Sequence, residues 1–268
     1  MKLRFLTIIV ALCAFASLDA DAQSMRPGRP GRPGHAHSGA DAFRGIGLTF
    51  GYVNSNYRTL DLATDDATTS GLLHGFTLGL TKDFSLLPHA LYFQTGLNYI
   101  YQNDPRNENY KIPLTDMSVR LVGDREEHHL GIPLRLKYDL HLLDRVGLTF
   151  DAGPTLLMGL SSKYQYKTKL EDNVASVDYN LYNGKVKASG GSSFFDLEDW
   201  MQNSGMYPEG RLGRFDVMLG ASVGAHFFHV LEVRIGYDYG LINRYRKEIA
   251  DMYSMRRGQF TLSAGIRF

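Results

Sequence analysis

The last ten residues of the chain, Gln259 to Phe268, alternate between two kinds of side chain. Apolar residues occupy every second position: Phe260, Leu262, Ala264, Ile266 and Phe268. The positions between them hold Gln259, Thr261, Ser263, Gly265 and Arg267. Successive side chains of a β-strand point to opposite faces, so this period of two predicts a strand with unlike environments on its two sides.

Seven earlier segments show the same alternation. They begin near Ile46, Leu72, Leu91, Leu130, Val146, Phe215 and Leu231. Each has about ten residues, the length of a strand that crosses a bilayer at a tilt. The connections after the second, fourth and sixth segments are short, whereas the others are long, the longest running from about Gly159 to Gly213. Short turns on one side and long loops on the other are typical of outer-membrane barrels, with the turns and both termini in the periplasm.

We therefore predict an all-β fold, an eight-stranded antiparallel transmembrane up-and-down β-barrel over residues 45–268 with a long structured third outward loop. A soluble barrel of the lipocalin kind also has eight strands, but its apolar faces point inward. Here the polar faces are rich in Gly, Thr and Ser, and the apolar faces end in Tyr or Phe. Small interior residues and aromatic girdles favour the membrane barrel. Pro133 and Pro154 lie inside the fourth and fifth strands and predict a bulge or a break in pairing near each.

The N-terminus reads as an export signal followed by a tether. Residues 1–22 combine Lys2 and Arg4 with an apolar stretch and an Ala20-Asp21-Ala22 cleavage pattern, which predicts a secretory signal peptide. Residues 23–44 contain three consecutive Arg-Pro-Gly units, which predict a flexible linker. The single cysteine, Cys13, lies inside the signal peptide, so the mature chain would have no disulfide.

The polar faces carry a nearly balanced set of charges. The set comprises Arg135, Lys137, Asp139, Asp151, Asp216, Glu232, Arg234, Asp238 and Arg267. An unpaired charge in a water-poor interior costs several kcal/mol, so we expect an ion-pair network that plugs the barrel. Glu232 and Arg267 are expected to pair near the periplasmic end of adjacent strands. The alternative is a charged ion path through a narrow pore.

The third outward loop has features of its own. Asn183-Gly184 lies between Tyr179–Tyr182 and Lys185–Lys187, which predicts a β-hairpin. Residues 193–202, with Phe194, Phe195 and Trp200, read as a short amphipathic helix. This helix is either a partner-contact surface or a segment packed back on the barrel rim.

Two stretches resemble known barrels. The terminal strand resembles the closing strand of bacterial outer-membrane barrels, which implies that Phe260, Leu262, Ile266 and Phe268 form a C-terminal assembly signal read by the insertion machinery. The strands His129–Tyr138, with Ile-Pro-Leu and Lys-Tyr, and Phe150–Pro154, with Ala-Gly-Pro, resemble the PorT-like outer-membrane β-barrel family of Gram-negative bacteria. That resemblance implies an outer-membrane barrel without catalytic residues, and its founding member is linked to protein secretion.

Function is less constrained than fold. A net charge of +1 gives no indication of nucleic-acid binding, and no cofactor motif or zinc spacing is present. Glu126, Glu127, His128 and His129 are the best candidates for a catalytic base, but no Ser stands in a nucleophile motif. We expect a non-enzymatic structural or interaction barrel in contact with outer-membrane lipid, with an unidentified protein partner. The alternatives are an accessory role in secretion or envelope assembly, a small enzyme, or a narrow pore.

Overall fold

The structure is a computed structural model that describes residues 45–64, 67–87, 90–111, 118–143, 145–170, 173–189, 212–228 and 230–268. Of the first unit, the described residues are Gly45 and Phe268, and the Gly45 N–H donates to the Phe268 C=O at 2.5 Å. The second unit is Ile46–Arg267. The predicted signal peptide (1–22) and linker (23–44) lie outside the described residues.

The second unit consists of strands and one short helix. The elements are β1 (Ile46–Asp61), β2 (Ala67–Leu87), β3 (Leu91–Lys111), β4 (Ser118–Leu143), β5 (Val146–Leu170), β6 (Asn173–Asn180), β7 (Val186–Ser189), β8 (Phe215–Phe227), β9 (Leu231–Gly240), α1 (Lys247–Ala250) and β10 (Tyr253–Arg267). No helix within the described residues is long and apolar enough to cross a membrane.

Eight of the strands close into a ring. Their order is β4-β3-β2-β1-β10-β9-β8-β5, and β5 pairs with β4 to complete the circle. All neighbours are antiparallel, and the first and last strands meet from Gly47 opposite Arg267 to Asp61 opposite Tyr253. The predicted eight-stranded barrel is therefore confirmed. The end with the short turns is called the short-turn end below, and the other end the long-loop end.

The strands continue beyond the predicted ten residues at the long-loop end. β4 has 26 residues and β5 has 25. β8 pairs with β5 from Val146 to Met158, and β6 takes its place beside Lys163 to Leu170. The β6–β7 hairpin is therefore an extension of the barrel wall. It turns at Asn183-Gly184 as predicted, although β6 ends at Asn180 and Tyr182 belongs to the turn.

Both prolines interrupt the pairing, as predicted. The β3–β4 register omits Ile132 and Pro133, and the β4–β5 register resumes only at Ala152 after Thr155. Gly153, beside Pro154, has φ 151°. A proline has no N–H to donate to the ladder. In a closed ring, which has no edge strand, the pairing is therefore interrupted for a few residues beside each proline.

The two faces of the wall have opposite character. Apolar side chains cover the outside, where Phe50 is 61% exposed and Leu78 is 55% exposed. Inside the ring, Lys137 and Gln102 are fully buried. A lipocalin-like barrel would show the reverse arrangement, so the outer apolar band is the surface that meets lipid.

Candidate functional site

The interior near the short-turn end holds a group of five charged side chains, called the lower network: Asp83, Lys137, Asp139, Glu232 and Arg267. Lys137 Nζ lies 3.1 Å from both carboxylate oxygens of Glu232 and 3.5 Å from Asp83 Oδ2. Arg267 lies 2.6 Å from Asp83 Oδ2 and 3.1 Å from Asp139 Oδ2. Every charge in this group has an opposite charge within ion-pair distance.

A middle network continues this arrangement toward the centre of the barrel. Arg135 donates to Asp238, and its other terminal nitrogen lies 4.0 Å from Asp151 Oδ1. Arg234 lies 3.4 Å from Asp151 Oδ2 and 2.7 Å from Glu232 Oε1, so it joins the two networks. Both networks bridge strands on opposite sides of the ring, and so fill the interior with paired charges.

The structure thus brings together eight of the nine charged residues singled out in the sequence. Asp216 is the exception, because it lies near the long-loop end, where Arg244 and Arg257 are the cations that act on it. The expected pair of Glu232 with Arg267 is corrected, because the register places Gly265 opposite Glu232 and leaves Arg267 with Asp83 and Asp139. Asp83 belongs to the lower network but was not among the residues singled out in the sequence. It keeps the parity of Thr77 and Thr81, the inward residues of β2, and this was the available signal.

A polar cavity of about 90 Å³ lies beside the middle network. Its lining includes Thr49, Thr77, Asn98, Thr155 and Ser222, together with Arg135 and Asp238. A polar cavity of this size has room for a few ordered water molecules. It is too small to form a wide aqueous channel of the porin kind.

A third group, called the mouth cluster, closes the interior at the long-loop end: Tyr57, Arg125, Glu127, His129, Arg244 and Arg257. Glu127 is at its centre and is fully buried. Its Oε1 accepts from Arg125 Nη2 at 2.7 Å and from Ser162 Oγ at 3.0 Å. Its Oε2 accepts from the Tyr57 hydroxyl and lies 3.6 Å from Arg244 Nη1.

The three arginines of the mouth cluster surround one aromatic ring. The guanidinium carbons of Arg125, Arg244 and Arg257 lie 4.5, 4.8 and 5.4 Å from the centroid of the Tyr57 ring. Arg257 also donates to Ser55 Oγ at 3.0 Å and to Gln102 Oε1. Cation–π contacts and side-chain oxygens therefore compensate the positive charge that Glu127 alone does not balance.

The β6–β7 hairpin packs over this mouth. Tyr179, Leu181, Tyr182 and Val186 of the hairpin form one buried apolar cluster with Tyr57, Leu73, Leu212 and Met255. The Leu181 N–H donates to the Ser162 C=O at 2.9 Å, and Arg246 Nη2 donates to the Tyr182 C=O at 2.8 Å. The hairpin and its contacts are called the cap below. The sequence had predicted the hairpin but not its contact with the barrel.

The four candidates for a catalytic base are separated by the strand geometry. Glu127 and His129 point into the mouth cluster and are buried. Glu126 and His128 point outward. His128 Nδ1 is 2.6 Å from the Tyr99 hydroxyl and Nε2 is 2.9 Å from Glu126 Oε1, so both ring nitrogens are engaged. Among the described residues, no group of three or more His, Cys, Asp or Glu side chains is arranged to hold a metal ion.

The remaining predicted residues lie elsewhere. Phe194, Phe195 and Trp200 are outside the described residues. The proposed assembly signal is exposed, with Phe260 at 40%, Leu262 at 43%, Ile266 at 45% and Phe268 at 59%.

A closed ring of eight antiparallel strands, apolar outside and charged inside, is the architecture of an integral outer-membrane β-barrel. Residues 22–246 match the model of the family described as outer membrane protein beta-barrel domain, and the chain belongs to that family. The family is one of the outer membrane, so the apolar band lies against lipid. Membership of the PorT-like group in particular stays a prediction.

Several solved structures are similar to this chain. Ail of Yersinia pestis, in complex with the heparin analogue sucrose octasulfate, is 12% identical with a TM-score of 0.36 over 84% of this chain and 99% of that one. Neisserial surface protein A is 13% identical with a TM-score of 0.36 over 84% and 97%. The outer membrane enzyme PagL is 11% identical with a TM-score of 0.38 over 81% and 99%. No curated protein is significantly similar to the chain.

Proposed function

We propose that the chain is a non-catalytic outer-membrane barrel with a closed interior, and that it acts through the surfaces it presents beyond the membrane at the long-loop end. One observation carries this proposal: two ion-pair networks fill the interior and the cap covers its mouth. A pore that conducts ions would need charged side chains that line a water-filled passage. Here Lys137, Arg135 and Arg234 each contact at least one carboxylate.

Electrical recording in planar bilayers tests the closed interior. The protein is expected to give no unitary conductance steps at neutral pH. The double variant Arg135→Ser/Asp238→Ser removes both partners of one pair, leaves no net charge behind and enlarges the polar cavity, so it is expected to produce small steps. Steps of equal size from the unchanged protein would show an open path and contradict the proposal.

The absence of catalysis is supported by the outer-face histidine. The hydroxyl at Nδ1 of His128 is that of Tyr99, and among the described residues no Ser or Thr hydroxyl contacts either ring nitrogen, so the pair of His128 and Glu126 has no alcohol nucleophile to activate. The protein in vesicles is expected not to release fatty acid from phospholipid or lipid A. Release that is lost in His128→Gln would contradict this part of the proposal.

The interaction role is located on the extended wall and the cap. Lys185 and Lys187 are exposed on the hairpin. A photo-crosslinking residue at Lys187 in intact cells is expected to capture a specific partner, whereas one at Arg145, at the short-turn end, is not. Capture from Arg145 alone would favour the alternative, an accessory role in secretion or envelope assembly with a periplasmic partner.

A further inference from the structure

Two arginines face each other on the outside of the barrel where the first and last strands meet. Arg58 of β1 is directly opposite Arg256 of β10 in the antiparallel register, and both side chains are exposed. Directly opposed residues of an antiparallel pair have their Cβ atoms about 5 Å apart, and like charges at that spacing destabilise the pairing. The barrel therefore places a repulsive pair at its closing seam.

Nothing in the described structure neutralises this pair. Among the described residues, neither guanidinium has an ion pair or a side-chain hydrogen bond. The interior arginines Arg135, Arg234 and Arg267 differ, because each contacts a carboxylate. The two guanidinium groups carry up to ten N–H donors, and no described side chain engages them.

The height of the pair identifies the region from which such a ligand would come. On β2, Leu72 is opposite Asn56, one outward position below Arg58, and is 46% exposed. On β9, Tyr239 is opposite Gly258, and continuing that register by two residues places Leu241, 48% exposed, level with Arg256. Exposed apolar side chains continue a short way beyond the pair, where Leu62 is 49% and Met252 is 54% exposed. The pair therefore lies close to the long-loop border of the outer apolar band, the region in which lipid headgroups begin.

We propose that Arg58 and Arg256 together bind the phosphate group of a lipid in the leaflet at the long-loop end. Guanidinium groups form bidentate hydrogen bonds with phosphate oxygens, and one phosphate between two arginines replaces their repulsion with two charge-assisted contacts. The lipid would thereby join the first strand to the last. This site is distinct from the closed interior and the cap, and does not depend on their proposed roles.

The test uses protein extracted from outer membranes into maltoside micelles. Samples are heated to a series of temperatures, and the fraction that remains folded is measured from the gel mobility of unboiled samples, which gives the midpoint of heat unfolding. The micelles carry phosphatidic acid, phosphatidylcholine with the same acyl chains, or inorganic phosphate at the same concentration. Phosphatidic acid is expected to raise the midpoint of the unchanged protein by about 3 °C, a shift measurable for a domain of this size. The other two additions are expected to raise it by less than a third of that amount.

Two variants locate the effect. Arg58→Gln/Arg256→Gln is expected to lose the response to phosphatidic acid, whereas Lys185→Gln/Lys187→Gln, which removes two exposed charges from the hairpin, keeps it. Arg58→Glu places opposite charges across the seam, so its midpoint without lipid is expected to rise while its response to phosphatidic acid disappears.

Each remaining outcome overturns the proposal. An equal response in the seam variants would show that phosphatidic acid acts elsewhere. An equal effect of inorganic phosphate would identify a site for free anions and not for a lipid. No response of the unchanged protein would show that the pair does not bind phosphate.

Discussion

Lys137 Nζ lies 3.1 Å from both carboxylate oxygens of Glu232, across the interior of the barrel. The two residues are on β4 and β9, which are separated by β5 and β8 around the ring. The contact is therefore a strut across the interior between two strands that are not neighbours in the ring. Its geometry explains how an eight-stranded barrel can hold its shape without an apolar core at this level.

Replacing Lys137 with Met is expected to destabilise the barrel strongly. The change leaves Glu232 with Arg234 only and Asp83 with Arg267 only, so buried negative charge loses compensation. Breaking a buried pair from one side costs about 3–5 kcal/mol. Urea unfolding in micelles measures this loss, and the exposed Lys187→Met is the matched control.

A second substitution tests the cause. Lys137→Met/Glu232→Gln removes both charges and is expected to recover a large part of the lost stability. If Lys137→Met unfolds at the same urea concentration as the unchanged protein, the strut contributes nothing and the interpretation is wrong.

Gly153→Ala is expected to be unusually costly for a change of one methyl group. Gly153 has φ 151°, and an added Cβ would lie 2.2 Å from the backbone oxygen of Leu134. Backbone strain of this kind costs about 1–3 kcal/mol. Gly131→Ala is the control, because there the nearest atoms are flexible side chains at 3.4 Å or more. Equal midpoints for the two variants in urea unfolding would contradict the prediction.

Leu181→Asp is expected to release the cap without unfolding the barrel. Leu181 is buried in the apolar cluster between hairpin and wall, and an unpaired carboxylate there loses its hydration. Limited proteolysis of the folded protein should then cut the hairpin faster by at least an order of magnitude, while the mobility of the unboiled barrel is unchanged. Lys187→Asp, exposed on the same hairpin, is expected to be cut at the original rate.

Tyr182→Phe is expected to be nearly neutral, in contrast to Tyr57→Phe. The Tyr182 hydroxyl is buried with no hydrogen-bond partner among the described residues, so its removal costs about 0.5 kcal/mol or less. The Tyr57 hydroxyl donates to the Glu127 carboxylate, and losing a bond to a charged group costs about 1.5–3 kcal/mol. Heat unfolding of both variants in the same micelles distinguishes them. Equal losses of stability would contradict the conclusion that the Tyr57 hydroxyl is hydrogen-bonded and the Tyr182 hydroxyl is not.

The same hydroxyl predicts a dependence on alkaline pH. Burial raises the pKa of Tyr182 above its ordinary value of 10.0. The unfolded chain releases this proton near pH 10, while the folded chain still holds it. Stability from Tyr182 is thus complete below pH 10 and decreases as the pH rises above that value. We expect the unchanged protein to lose stability relative to Tyr182→Phe between about pH 10 and 11.5, measured by urea unfolding; parallel curves would show that the hydroxyl is solvated.

Phe268→Ala is expected to slow assembly in cells more than it slows refolding in detergent. This prediction follows from the proposed C-terminal assembly signal. Phe50, on the outer apolar band, is 61% exposed against 59% for Phe268, so Phe50→Ala removes the same side chain from a similar environment. Pulse-chase appearance of heat-resistant protein in membranes measures the difference. Equal delays in cells for the two variants would argue against a signal at Phe268.

Sequence alternation alone specified the eight strands and their inward and outward faces. A period of two is a local property, so each segment could be recognised without knowing its neighbours. The parity of Lys137 and Asp151 along their strands was sufficient to predict that both side chains lie in the interior. The unequal connections specified which end of the barrel has the short turns.

Only the tertiary structure decided which charges meet and what closes the barrel. Which charged side chains form ion pairs across the interior depends on the stagger of all eight strands, and no single segment encodes that stagger. For this reason the sequence did not predict that Glu232 contacts Lys137 and not Arg267. The apolar cluster that includes Leu181 and Tyr57 likewise joins residues far apart in the chain, after β5 has continued beyond its pairing with β8 and the chain has turned back as β6. The local alternation determines which face a side chain occupies, whereas the global register determines its partner, because the stagger is fixed only when the ring closes.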